Sequence, residues 1–79
     1  MGALDFGAMI KKKRSRQGWT MINVTERLEA DHGITISRGS VSLWENNKAI
    51  PRMQTLRALM EVYDMDPMER LLAYEVIGQ

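Results

Sequence analysis

Cysteine is absent from the 79 residues, which excludes both disulfides and thiolate metal sites as staples for the fold. At this length one hydrophobic core is only marginally sufficient, so oligomerisation or good helix packing must supply what cross-links do not. Histidine occurs once, as His32, and cannot make a metal site by itself. No Ser/His/Asp, Cys/His or paired-carboxylate arrangement stands near it, and no glycine-rich phosphate loop is present. An enzyme is therefore not expected, and neither is a metal, a cofactor or a small-molecule ligand. No apolar run approaches membrane-spanning length, so a membrane partner is not expected. The basic cluster Lys11 to Arg16 follows the mildly apolar N-terminus instead of preceding it as in a signal peptide. Met1 and Gly2 also lack the Ser or Thr of a myristoylation site. The expectation is a soluble, cytoplasmic protein forming one domain over residues 1–79.

What the chain does have is charge, unevenly placed. Residues 1–52 hold nine Lys/Arg against five Asp/Glu, and residues 53–79 hold two against five, giving +4 in front and −3 behind. A basic front suits a domain that meets a polyanion with one side, although a solvated charged surface produces the same count.

Prolines number two, repeats are missing and helix-period signals dominate, so the chain reads as all-α. A first helix from about Leu4 to Gln17 places Phe6, Ile10 and Arg14 on one stripe, with Gly18 as its stop. Thr20 is the predicted N-cap of a second helix over about 20–32, carrying Met21, Val24 and Leu28 inward and ended by Gly33. Ile34, Thr35 and Ile36 form a short extended link. Ser37 caps a third helix over about 37–46, with Val41 and Trp44 three apart on one face and Arg38, Ser42 and Leu43 on others. Pro51 is expected to begin a fourth helix with Met53, Leu56, Leu59, Met60 and Tyr63 inward. Asp66 and Pro67 open a fifth that runs to about Glu75. Five short helices on tight links describe a compact helix-turn-helix domain better than an up-down bundle.

The segments "KKKRSRQGWT", "SRGSVSLWENNKAIP" and "TLRALMEVYDMDP" resemble the Cro and phage-repressor helix-turn-helix family, the XRE-like group of lambda-repressor type, over about residues 6–72. In that family the stretch matching "SVSLWENNK" is the recognition helix. It ends in Trp or Leu, Glu, Asn, commonly Gly, and Lys, with Pro shortly after. Trp44, Glu45, Asn46, Asn47, Lys48 and Pro51 fall in that order.

The resemblance implies a sequence-specific regulator of transcription whose partner is double-stranded DNA, a bacterial or phage protein acting as a Cro-like repressor by promoter occupancy. It carries base contacts onto Arg38, Gly39, Ser42 and Leu43. Arg38 matches the two acceptors of a guanine edge, Leu43 a thymine methyl, Ser42 donates or accepts, and Gly39 permits close approach. Phosphate contacts fall on Thr20 with the backbone amides of the second helix start, on Asn46 and Lys48, and on Arg52. Lys11, Lys12, Lys13 and Arg16 read as a general electrostatic contribution. Arg14, ending an inward stripe, needs a carboxylate, and the resemblance implies that Glu45 supplies it as a structural ion pair.

Three features depart from the family. Met21 stands where a DNA-bracing glutamine is usual, and Thr25 takes the position of the small residue at the helix crossing. Between Leu28 and Val41 the chain holds about six residues more than the family's usual spacing, which most simply extends the second helix by a turn and lengthens the link. A homodimer is expected, because one domain of this size reads few base pairs and "MERLLAYEVIGQ" carries more apolar residues than one helix face needs. Met68, Leu71, Leu72, Tyr74, Val76 and Ile77 are the interface candidates. The alternative is a helix-turn-helix-fold module that binds another protein through Trp19, Leu43 and the seven methionines, without specific DNA binding.

Overall fold

The computed structural model describes residues 5–78. Five helices follow one another: α1 Phe6–Gln17, α2 Met21–His32, α3 Arg38–Glu45, α4 Met53–Val62 and α5 Pro67–Ile77. No strand occurs among the described residues. The radius of gyration, 11.4 Å, matches the roughly 12 Å of a compact chain of this length.

Local chemistry sets the boundaries. Asp5 caps α1 by accepting from the Ala8 N–H at 2.9 Å, so the helix starts at Phe6; Leu4 lies outside the described residues. Thr20 and Asn23 form a reciprocal capping box at the start of α2, Ser37 accepts from the Ser40 N–H to open α3, and Asp66 with Glu69 forms a second box ahead of Pro67. Gly18 and Gly33 end α1 and α2 in the left-handed conformation, at φ 72° and 65°, where a side chain is strained. Asn47 takes the same role after α3 at φ 58°, with Lys48 N–H closing back on Leu43 O at 2.8 Å.

Two expectations about α4 are corrected. Pro51 does not begin it: Arg52 is extended, at ψ 157°, and serves as N-cap, while Pro51 sits buried in the preceding link. Met53 is not inward but exposed. At the first position of α4 its side chain overhangs a groove beside His32, Ile34 and Arg57, one turn short of the core that Leu56 enters. α5 runs to Ile77, two residues beyond the expected end.

Phe6, Ile10, Val24, Leu28, Val41, Trp44, Leu56, Leu59, Met60, Tyr63 and Ala73 are the buried centre on which all five helices converge. α3 packs against α1 and α2, α2 also against α4, and α5 against α1 and α4. The lengthened link between α2 and α3 is fixed to this centre, since Ile34 and Ile36 pack on the core and Thr35 between them points outward. Its five residues, Gly33 to Ser37, exceed the three or four of an ordinary helix-turn-helix.

Candidate nucleic-acid interface

At 100° per residue, the buried residues Val41, Trp44 and Glu45 occupy about 100° of α3 and leave a broad arc facing away from the core. Arg38, Ser42, Asn46, Gly39 and Leu43 fall on it in that order. Arg38 and Gly39 are exposed, Leu43 is 45% exposed and Ser42 half-buried. A methyl group added at Gly39 would meet only Ser37 Oγ, at 3.7 Å, so nothing within the protein requires glycine there. The four candidate base contacts thus share one face of one helix. Packing of α3 against α1 and α2 holds that face outward.

Arg14 fixes where the ends of neighbouring elements meet this face. Its Nε donates to Glu45 Oε2 at 2.6 Å, its Nη2 to Glu45 Oε1 at 2.9 Å, and its Nη1 to the Trp19 carbonyl at 3.0 Å. The fork therefore joins the last residue of α3 to the residue just before Thr20. The N-terminus of α2 and the C-terminus of α3 are brought to one place. The hydrogen bonds that Arg14 donates to Glu45 hold its guanidinium above its ordinary range, against the opposing effect of burial. Tyr63 lies close enough to feel both charges, and burial pushes its phenol well above the usual range, so it stays neutral.

Thr20 Oγ1 accepts from the Asn23 N–H at 3.1 Å and Thr20 N–H donates to Asn23 Oδ1 at 2.9 Å. The capping box thereby uses two of the groups available to an anion, leaving the Thr20 hydroxyl proton and the Met21 and Ile22 amides of the first turn. Asn46 Nδ2 donates to Ser42 O at 2.8 Å and, at the longer distance of 3.5 Å, to Ser42 Oγ. Lys48 is exposed beyond it. Arg52 lies on the other flank of α3, lining a groove with Ser40, Trp44 and Ile50. Polar and cationic groups consequently border the outer arc at its C-terminal end and along its α4 side.

A second clamp, absent from the sequence reading, holds the chain just after α3. Asn47 Oδ1 accepts from the Gly7 N–H at 2.9 Å and Asn47 Nδ2 donates to Asp5 Oδ1 at 3.0 Å. The Ala8 N–H and Asn47 together hold the Asp5 carboxyl below its ordinary value. Gly7 is required for this approach, because a Cβ there would lie 2.5 Å from Glu45 O and 2.8 Å from Trp44 O. An isolated glycine inside a helical pattern signals such a contact, and an asparagine where relatives carry glycine signals a left-handed turn. Both signals were present in the sequence.

The interface candidates on α5 divide. Met68, Leu71 and Tyr74 are 74%, 55% and 44% exposed and share a stripe opposite Ala73. Val76 and Ile77 instead pack on the core, and Leu72 is half-buried beside Lys12 and Arg16. Trp19 is not a free surface either. It stacks on Tyr63, with ring centroids 6.1 Å apart, while the Arg27 guanidinium sits 4.1 Å from its ring centre.

Five helices around one core, with the outer arc of the third exposed and polar and cationic groups around its rim, define a helix-turn-helix domain. The match of the helix-turn-helix family model to residues 10–69 covers well over half of the chain, which belongs to the XRE-like, Cro and phage-repressor branch of that family. Its members are DNA-binding regulators of transcription, and this chain is of that kind. No curated protein and no solved structure is significantly similar to it. Among the described residues no helix is long and apolar enough to cross a membrane.

Proposed function

We propose that the protein is a sequence-specific repressor that acts by occupying promoter DNA in a bacterial or phage-infected cytoplasm, with α3 in the major groove. The observation that carries this reading is the shared outward arc of Arg38, Gly39, Ser42 and Leu43. Arg38 reads guanine through its two-pronged donor, Leu43 packs on a thymine methyl, Ser42 contributes a hydrogen bond and Gly39 lets the backbone approach. Thr20, Asn46, Lys48 and Arg52 hold phosphates and set the register. Binding excludes polymerase without chemistry or cofactor.

The active form is a homodimer joined through Met68, Leu71 and Tyr74. Their exposure on one stripe of α5 supports it, as does the need for two half-sites to reach useful specificity. The protein-binding alternative loses support from the enclosure of Trp19 between Tyr63 and Arg27 and from the burial of Met60 and Met65.

Titrating salt against binding to random duplex DNA separates the two readings. A steep fall of affinity with salt is expected for the DNA-binding protein. A flat response at affinities too weak to matter would favour the alternative. Sedimentation of the bound species tests the dimer, and a single protomer per operator would remove it.

A further inference from the structure

The five cations of α1 are not equivalent. Lys13 Nζ is paired with Glu69 Oε1 at 2.9 Å and Arg14 with Glu45. Lys12 and Arg16 line the cleft between α1 and α5, together with Asp5, Glu69 and Leu72. Lys11 lies on the opposite flank. It is four residues after Gly7 and three before Arg14, so the three side-chain positions form one stripe along the helix.

Both neighbours on that stripe grip the C-terminal end of α3. Gly7 is bonded to Asn47 at 2.9 Å and Arg14 to Glu45 at 2.6 and 2.9 Å. Lys11 is set on the stripe between these two anchors, so helical spacing places it on the side of α1 that meets the C-terminal end of α3. It is exposed, and among the described residues no carboxylate pairs with it.

We propose that Lys11 is a DNA phosphate contact which continues the row of Asn46 and Lys48 onto α1, whereas Lys12 and Arg16 contribute nothing to that row. The inference rests on the DNA-binding reading above and adds a residue and an element to it. A lysine is suited to the position, since a compact charge on a flexible stem can follow a backbone phosphate without a fixed geometry.

The test is the salt dependence of duplex binding by the full chain, for wild type, Lys11→Ala, Lys11→Arg, Lys12→Ala and Arg16→Ala. Each phosphate contact adds about 0.9 to the steepness of log affinity against log salt. Lys11→Ala should flatten the slope by about that much, making the affinity loss between about 50 and 200 mM salt roughly threefold smaller than in wild type. Lys11→Arg should retain the wild-type slope, and Lys12→Ala and Arg16→Ala should leave it unchanged. Equal flattening by all three alanine variants would overturn the proposal in favour of a diffuse positive field. No flattening by Lys11→Ala beside a steep wild-type slope would overturn it while leaving the DNA-binding reading intact. A flat wild-type slope would overturn both.

Discussion

Replacing Arg14 by alanine should destabilise the fold more than replacing Glu45, although each substitution breaks the same contact. The Glu45 side chain is only 2% exposed, whereas that of Arg14 is 14% exposed. Without Arg14 a carboxylate is left in the interior with no counter-charge, and the Trp19 carbonyl also loses its donor. Such a loss costs about 3–5 kcal/mol. Without Glu45 the guanidinium keeps its bond to Trp19 and can turn toward water, so about 2 kcal/mol is expected. A chain of this size is stable by roughly 4–12 kcal/mol, which makes the first loss a large fraction of the total. Urea unfolding of wild type, both single variants and the double variant gives the coupling directly. The double variant should lose at least about 1.5 kcal/mol less than the sum of the singles, because removing one partner already forfeits the interaction. Additive losses, or a cheaper Arg14→Ala, would refute a buried, mutually dependent pair.

Gly7→Ala should cost about 3 kcal/mol or more, since the added methyl meets the carbonyls of Trp44 and Glu45 rather than a movable side chain; thermal unfolding measures it. Gly39→Ala should behave in the opposite way. It should raise stability by up to about 1 kcal/mol, through helix propensity, yet weaken operator binding, as seen by unfolding and titration of the same sample. Asp5, whose carboxyl is held below its ordinary value of 3.8 by the Ala8 N–H and Asn47, should stabilise the fold above that pH. The contribution disappears as pH falls through the lowered value. Asp5→Asn keeps the accepting oxygen and should lose this part of the acid sensitivity, whereas an unchanged pH profile would remove Asp5 as its source.

Much of the fold was legible because it is written locally. Thr20, Ser37 and Asp66 cap helices within three residues, and Gly18 and Gly33 end them within one. The exception, α4, carried no side-chain cap, so its start was assigned to the wrong residue, Pro51. The match of Arg14 to Glu45 came from resemblance, since periodicity alone showed only that an inward charge needed a partner. The bracket of Asp5, Gly7 and Asn47 spans about forty residues of sequence, and no periodic pattern encodes such a meeting. The same holds for Trp19 against Tyr63, a contact that packs the indole against the core. On α5, an excess of apolar residues was visible, but only packing could separate Val76 and Ile77 from Met68, Leu71 and Tyr74.

The central claim is that the outer arc of α3 reads sequence, and selection of bound duplexes from a random pool tests it most directly when wild type is run beside Arg38→Ala and Lys48→Ala. Wild type should enrich one motif with a guanine at a fixed position in each half-site. Arg38→Ala should lose preference at that base pair and about 1–3 kcal/mol on the wild-type motif. Lys48→Ala should keep the motif while binding all sequences more weakly. An unchanged motif with uniformly weaker binding by Arg38→Ala would make Arg38 a phosphate anchor and contradict the assignment of α3 as the reading helix.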